Sequence, residues 1–366
     1  NDLYIGLISG TSVDGVDCAL VDFGGGAPRL ICSHFKPSEA SLRDRILGLC
    51  EGEGVDLRLL GQTNIELGRV FAEAAMELLE KAGIDASAVR AIGSHGQTVW
   101  HQPEGEFPFT LQLGDPNTIA QRTGITTVAD LRGRDMAAGG EGAPLAPLLH
   151  REVFHSPEVD RAVVNIGGIA NITYLPRQGQ ALAFDTGPGN VLMDYWVDKH
   201  KGQRYDEDGD WAAQGQFSLT LLNALLDEEY FSRSLPKSTG RELFNGRWLE
   251  RRLAACGIDL APVDVQATLL TFTVMTIVSD LTRYCAPNEL YICGGGAHNK
   301  ALMSELAKVA SDFSVDSTLT LGIDPDWVEA MAFAWMARQT IEGKKVDTSP
   351  FTGAKTPVIL GGIYKS

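Results

Sequence analysis

The chain is poor in the features that would assign it quickly. Its 366 residues include six cysteines, none of them in a CxxC pair. Cys18, Cys32, Cys50, Cys256, Cys285 and Cys293 lie scattered, mostly in apolar surroundings. They read as reduced core residues, and neither a disulfide framework nor a zinc site is expected. No HExxH occurs either. Lys and Arg number 31 against 47 Asp and Glu, a formal charge of −16. Nucleic acid is not an expected partner, because that class asks for clustered cations. No apolar run approaches the roughly 20 residues of a membrane helix, so no membrane partner is expected. No charged-then-apolar leader opens the chain, and the expected compartment is the cytoplasm. There is no Walker A sequence and no GxGxxG followed by an acid. Low-complexity segments are absent.

What remains is ordinary globular composition, 44% apolar and 21% charged, with 40 glycines. Strand and helix patterns alternate. Residues 3–8 and 16–23 read as a strand pair, and 59–82 as an amphipathic helix ended by Gly83. Val89 to Gly93 reads as a short buried strand. A second strand pair, 163–166 and 171–175, flanks Gly167-Gly168. A long apolar-striped helix follows at 265–283, then a buried strand at 290–293, and a last helix at 326–342. This order predicts an α/β fold with mixed sheets flanked by helices. The N-terminal strand-turn-strand arrangement recurs about 155 residues later, which points to two similarly built halves. The expected division is 1–130, with 343–366 returning to it, and 131–342.

The chemistry-bearing stretches sit where apolar runs end. Three glycine-rich turns follow strands: Ser9-Gly10-Thr11-Ser12, Gly167-Gly168 and Gly294-Gly295-Gly296. Such turns let backbone amides approach an anion. Asp14 and Asp17 follow the first turn, as turn residues or as carboxylates near a magnesium ion. Asp185 ends the run Ala181-Leu182-Ala183-Phe184 and opens DTGPGN. It is placed there for general-base work or for an Asx turn. A polar cluster, SHGQTVWHQP with DLRGRD and AAGGEGAP, gathers His95, Gln97, His101, Arg132, Arg134, Asp135 and Glu141. It reads as a sugar or carboxylate pocket. GTSVD approaches the serine-hydrolase nucleophile elbow at Ser12 but lacks its final glycine.

Taken together, these residues resemble the anhydro-N-acetylmuramic acid kinase family of the sugar kinase, heat-shock chaperone and actin ATPase superfamily. The matching pieces run in order through the chain. They are SGTSVDGVD, SHGQTVWH, DLRGRDMAAGGEGAPLAP, NIGGIANIT, FDTGPGN, PKSTGRE, DVQATL, ICGGGAHN, WVEAMAFAW, FTGA and LGGIY. The family usually has Leu where Val13 stands. The resemblance implies two actin/hexokinase-like domains around a central cleft for nucleotide and substrate, and a homodimer. It implies ATP contacts from Ser9, Gly10, Thr11, Ser12, Val13, Asp14, Gly15 and Val16, and from Asn165, Gly167, Gly168, Gly294, Gly295 and Gly296. Asp185 matches the catalytic aspartate. His95, Gln97, Thr98, Arg132 and Glu329 are the expected substrate contacts, with Arg132 set against a lactyl carboxylate. Asp14 is expected to hold Mg2+ through water.

The implied reaction opens 1,6-anhydro-N-acetylmuramic acid with water and moves the γ-phosphate of ATP to O6. Its products are N-acetylmuramic acid 6-phosphate and ADP, in peptidoglycan recycling. The competing readings are a sugar kinase acting on a free hydroxyl and a nucleotide-switched binding module.

Overall fold

Seven buried residues in succession form β1, Leu3–Ser9, the strand on which the first sheet is assembled. β1 pairs antiparallel with β2, Gly15–Asp22, and β2 with β3, Arg29–Pro37. On its other side β1 takes β4, Val89–Gln102, in parallel. β4 then takes β5, Phe109–Leu113, antiparallel and β6, Thr127–Ala129, in parallel. The last strand of the chain, β12, Gly362–Tyr364, closes antiparallel on β6. A parallel neighbour needs a crossover, here provided through the helix Leu57–Ala82. Asp56 starts that helix by accepting the Arg58 amide at 2.9 Å. Gly83, at φ 65°, ends it in the left-handed region. Leu67, Phe71, Ala74 and Leu78 are buried, as their helical spacing predicts.

The structure, a computed structural model, describes residues 2–52, 55–241 and 243–366. The chain divides into two compact units, Asn1–Val153 with Trp327–Ser366, and Phe154–Asp326. The second unit repeats the plan of the first. β7, Arg161–Ile166, pairs antiparallel with β8, Ile169–Leu175, and β8 with β9, Leu182–Pro188. β10, Glu289–Cys293, joins β7 in parallel, and β11, Ser314–Ser317, joins β10 in parallel. The order β3-β2-β1-β4-β6 in one sheet thus corresponds to β9-β8-β7-β10-β11 in the other. The helix Pro262–Tyr284 serves the second crossover.

Several boundaries differ from the sequence expectation. The strand expected at 89–93 continues to Gln102, because His95 and Gln97 are themselves buried and β5 pairs along the polar stretch. The units divide at 153/154 and 326/327, not at 130 and 342. The helix Val328–Ile341 explains the later limit, since it packs directly on β1 and β4. A Cβ on Gly6 would run into the Ala330 carbonyl, and one on Gly93 into the Phe333 carbonyl. The 131–153 segment joins the first unit too: Thr352 Oγ1 donates to buried Asp135 at 2.8 Å. The helix Pro262–Tyr284 is, by length and composition, apolar enough to cross a membrane, against the expectation of no such run. Of its apolar window, 72% is buried inside the protein, as in the core helix of a soluble fold. Glu242, the last residue of PKSTGRE, lies outside the described residues.

The contact of Val328–Ile341 with the sheet is main chain on main chain, so it tolerates no side chain beneath it. Gly93→Ala should destabilise the first unit by about 3 kcal/mol. Urea unfolding followed by tryptophan fluorescence tests this, and an unchanged midpoint would contradict the packing.

Candidate active site

In the first unit β1 ends at Ser9, and Gly10–Asp14 return the chain to β2. Val13 donates its amide to the Gly10 carbonyl at 3.2 Å and sits at φ 54°. A β-branched residue in that region is strained, and burial of its side chain, 1% exposed, holds it there. Val16 is buried likewise. A Cβ on Gly15 would meet the Phe35 ring and the Lys36 carbonyl. Val13, Gly15 and Val16 therefore have only main chain to offer a ligand. Thr11 is exposed, Ser12 half-buried, and a Cβ on Gly10 would meet only Ser12 Oγ, at 4.0 Å. Ser12 Oγ donates to Asp14 Oδ1 at 2.5 Å.

The end of β4 lies beside this turn. Ser9 pairs with Gln97 in the parallel ladder, and Ser9 Oγ donates to Gln97 Oε1 at 2.6 Å. Gln97 Nε2 reaches the Thr98 carbonyl, and Thr98 Oγ1 accepts from Gln112 at 3.2 Å. Arg132 Nε donates to His95 Nε2 at 3.1 Å. His95 Nδ1 lies 3.0 Å from the Gly96 carbonyl. With Nε2 accepting, Nδ1 must carry the proton, so the ring is neutral and its tautomer fixed. Burial, then the Arg132 charge, pulls the imidazole down to about 3. His95 thus orients Arg132 and is not a proton shuttle near neutrality. Burial also lowers Arg132 to about 10, and the Glu329 carboxylate opposes that shift. No described residue takes the Arg132 Nη groups in a hydrogen bond.

In the second unit the glycine turns come together. A Cβ on Gly294, at φ 75°, would collide with Asn165 Oδ1, and one on Gly296 with the Ile166 side chain. Of these three glycines only Gly295 is exposed, and a Cβ on it would meet only Asn190 Nδ2, at 3.8 Å. The Gly167 carbonyl accepts the Asn190 amide at 2.8 Å, and the Gly168 carbonyl accepts the Gly189 and Val191 amides at 2.9 and 3.1 Å. The start of helix Val191–Lys201 is thereby pinned to the β7–β8 turn. One row of ladder partners crosses four strands: Cys293, Asn165, Asn171 and Asp185. Such partners share a sheet face. Asp185 is half-buried on β9 and Oδ2 accepts the Thr239 amide at 3.0 Å. Tyr230 donates its hydroxyl to the Asp185 carbonyl at 2.7 Å.

The structure thus links Ser9 with Gln97, and His95 with Arg132 and the Glu329 charge, within the first unit. In the second it gathers Asn165, Gly167, Gly168, Gly294 and Gly296, with Asp185 two strands away. Sequence reasoning passed over Asn171, Asn190, Tyr230 and Thr239. Asn171 lay within the NIGGIANIT motif, so a signal was there. Asn190 and Thr239 lay within FDTGPGN and PKSTGRE, whereas Tyr230 acts by long-range contact and left none.

Residues 2–366 match the family model described as anhydro-N-acetylmuramic acid kinase. A curated protein of that name from Shewanella woodyi (strain ATCC 51908 / MS32) is 47% identical over 364 residues, covering 99% of this chain and 98% of its own. One from Vibrio vulnificus (strain CMCP6) is 48% identical over 365 residues, covering 99% and 98%. Among solved structures, the activator of the 2-hydroxyisocaproyl-CoA dehydratase from Clostridium difficile with bound ADPNP aligns at a TM-score of 0.50 and 12% identity. That alignment covers 94% of this chain and 99% of the activator. At so low an identity it speaks for the two-domain actin/hexokinase-like fold alone.

Burial makes His95 a pH sensor of stability. Its folded value of about 3 lies below the ordinary 6.5, so the unfolded chain binds the extra proton. Stability therefore falls as pH drops from 6.5 towards 3, by about 1.4 kcal/mol per pH unit. His150, also lowered to about 3 by burial, adds a similar slope. Denaturation of His95→Gln between pH 6 and 5 should show a slope shallower by about 1.4 kcal/mol per unit. An identical slope would contradict a neutral buried His95.

Proposed function

The chain belongs to the anhydro-N-acetylmuramic acid kinase family, and we propose from that premise how its residues divide the work. The reaction is the ATP-dependent conversion of 1,6-anhydro-N-acetylmuramic acid to N-acetylmuramic acid 6-phosphate and ADP, in recycling of the cell wall. O6 of this substrate is an ether oxygen bonded to C1, with no proton for a base to remove. Asp185 takes its proton from water instead. The water oxygen bonds to C1, the C1–O6 bond breaks, and O6 attacks the γ-phosphorus as ADP leaves. The proton ends on Asp185, so one carboxylate serves both bond changes. The observation that carries this role is the anchored placement of Asp185, its Oδ2 held by the Thr239 amide and its carbonyl by Tyr230. A carboxylate so fixed is ready for proton transfer.

Phosphoryl transfer asks for positioning and charge neutralisation. The turn Ser9–Val16 supplies hydroxyls and amides to the phosphates, with Asn165, Gly167 and Gly168 as the second contribution and Gly294–Gly296 against the adenosine. Mg2+ needs one or two carboxylates, its other positions going to water and phosphate oxygens. No cluster of three acidic, His or Cys ligands occurs among the described residues. The single Asp14 carboxylate suits that requirement and would hold the ion through water, where it neutralises phosphate charge. Arg132, oriented by His95 through Nε, offers its planar fork to the lactyl carboxylate. Gln97, Thr98 and Glu329 line the sugar's polar edge. The protein works as a cytoplasmic homodimer, with no membrane or nucleic-acid partner; the acidic net charge of −16 supports the last point.

Asp185→Asn should lower kcat at least about a hundredfold with the fold intact by circular dichroism. Near-normal turnover would remove Asp185 from the role. Arg132→Lys keeps the charge and loses the fork, and should raise KM for the sugar about tenfold or more. An unchanged KM would dissociate Arg132 from the lactyl group.

A further inference from the structure

We propose that Lys237 and Asp280 are positioning residues for the Asp185 carboxylate: their buried ion pair fixes the 236–239 segment against β9, and that segment aims the carboxylate through its main chain. The inference rests on reading Asp185 as the base.

Two main-chain contacts connect the segment to Asp185. Asp185 donates its amide to the Lys237 carbonyl at 3.2 Å, and Thr239 donates its amide to Asp185 Oδ2 at 3.0 Å. The Lys237 side chain, 1% exposed, brings Nζ to 2.7 Å from Asp280 Oδ2, itself on a side chain 7% exposed. Nζ also stands 5.2 Å from the Tyr230 ring centre and 6.0 Å from that of Phe184. Both rings matter to Asp185. Phe184 precedes it on β9, and Tyr230 holds its carbonyl at 2.7 Å. One ammonium group thus touches the residue before Asp185 and the residue that fixes its carbonyl, while its own carbonyl fixes the Asp185 amide.

Stability alone gives no account of this pair. The 2.7 Å contact lacks the alignment of a directed hydrogen bond, and neither Nζ nor Oδ2 has another hydrogen-bonding partner among the described residues. Two charges buried in this way are often replaceable by apolar residues without loss of stability. What apolar side chains do not reproduce is a charge attraction between two fixed points. Nζ and Oδ2 attract across 2.7 Å while both side chains are buried, and that contact holds the 236–239 main chain against β9. Burial pushes the Asp280 carboxyl up, with Lys237 and then Arg283 opposing, and the Arg233 guanidinium lies 5.8 Å from the Tyr230 ring centre. These are the charged groups around the clamp.

The Thr239 amide favours the ionised carboxylate, so loosening it should make Asp185 titrate higher as well as misaim it. The test is the double variant Lys237→Met/Asp280→Leu, which removes both charges and leaves neither orphaned. The variant is expected to fold and keep its KM for ATP. Its kcat should fall at least about tenfold, and the acid limb of its kcat/KM pH profile should move up by about half a unit or more. Wild-type kcat with an unmoved acid limb would overturn the proposal. Should the double variant not fold, Tyr230→Phe decides: it loses only the hydroxyl on the Asp185 carbonyl and should move the limb in the same direction. An unmoved limb there overturns the proposal equally. Asp185→Asn, assayed alongside, separates the two levels. Near-normal turnover of Asp185→Asn ends the base reading itself. An inactive Asp185→Asn beside a wild-type-like double variant ends only the positioning role.

Discussion

Close approach to the main chain, at positions where only glycine fits, is the constraint on which both units depend. In the first, Gly6 and Gly93 lie under the carbonyls of Ala330 and Phe333. In the second, Gly294 and Gly296 lie against Asn165 and Ile166, and Gly189 lies against the Gly167 carbonyl. Gly6 and Gly93 lie inside β1 and β4, and Gly189, Gly294 and Gly296 lie just past the ends of β9 and β10. Strands held this closely have little freedom to slide, and the groups they carry inherit that rigidity. The glycines therefore do two jobs. At Gly10 and Gly295 a Cβ would meet only ordinary contacts, Ser12 Oγ at 4.0 Å and Asn190 Nδ2 at 3.8 Å, and these turns suit a ligand. Gly6 and Gly93 serve packing, and Gly294 and Gly296 are packed closely as well.

Charge is the second economy of the fold. The chain is acidic overall, yet the cations nearest the proposed chemistry are buried or half-buried, each with a defined neighbour. Arg132 has neutral His95 on one side and the Glu329 charge nearby, and Lys237 has Asp280. A guanidinium partly removed from water interacts more strongly with an anionic ligand than a solvated one. Keeping His95 neutral avoids a second positive charge beside Arg132, and its cost is a fold that weakens in acid. The same logic places the ammonium of Lys237 beneath aromatic rings, away from competing water.

Most of the architecture was legible in the sequence, and the reasons are physical. Leu67, Phe71, Ala74 and Leu78 recur at helical spacing, and Gly83 marks the stop. The repeated strand-turn-strand pattern announced the two matching sheets. The 94–102 stretch was misjudged because buried polar residues break the apolar signature of a strand, and its ladder with β5 carries a register shift between Thr98 and Trp100. The unit boundary was misplaced because Val328–Ile341 is apolar nearly all round, and its allegiance is decided by two glycines more than 230 residues earlier. Among site residues, those at glycine-rich strand ends carry their own local signal. Asp280 and Tyr230 do not, and Lys237, though inside PKSTGRE, gives no sign of its partner. A lysine among polar loop residues and an aspartate on an apolar helix look solvated until the fold closes over both.

The central claim is that ring opening and phosphorylation are one event served by one carboxylate. The direct measurement is ATP-dependent turnover of 1,6-anhydro-N-acetylmuramic acid in oxygen-18 water, with products read by mass spectrometry. The account predicts one label at C1 together with phosphate on O6. Phosphate on the sugar without label at C1, or no turnover of this substrate while a free sugar hydroxyl is phosphorylated, would contradict it.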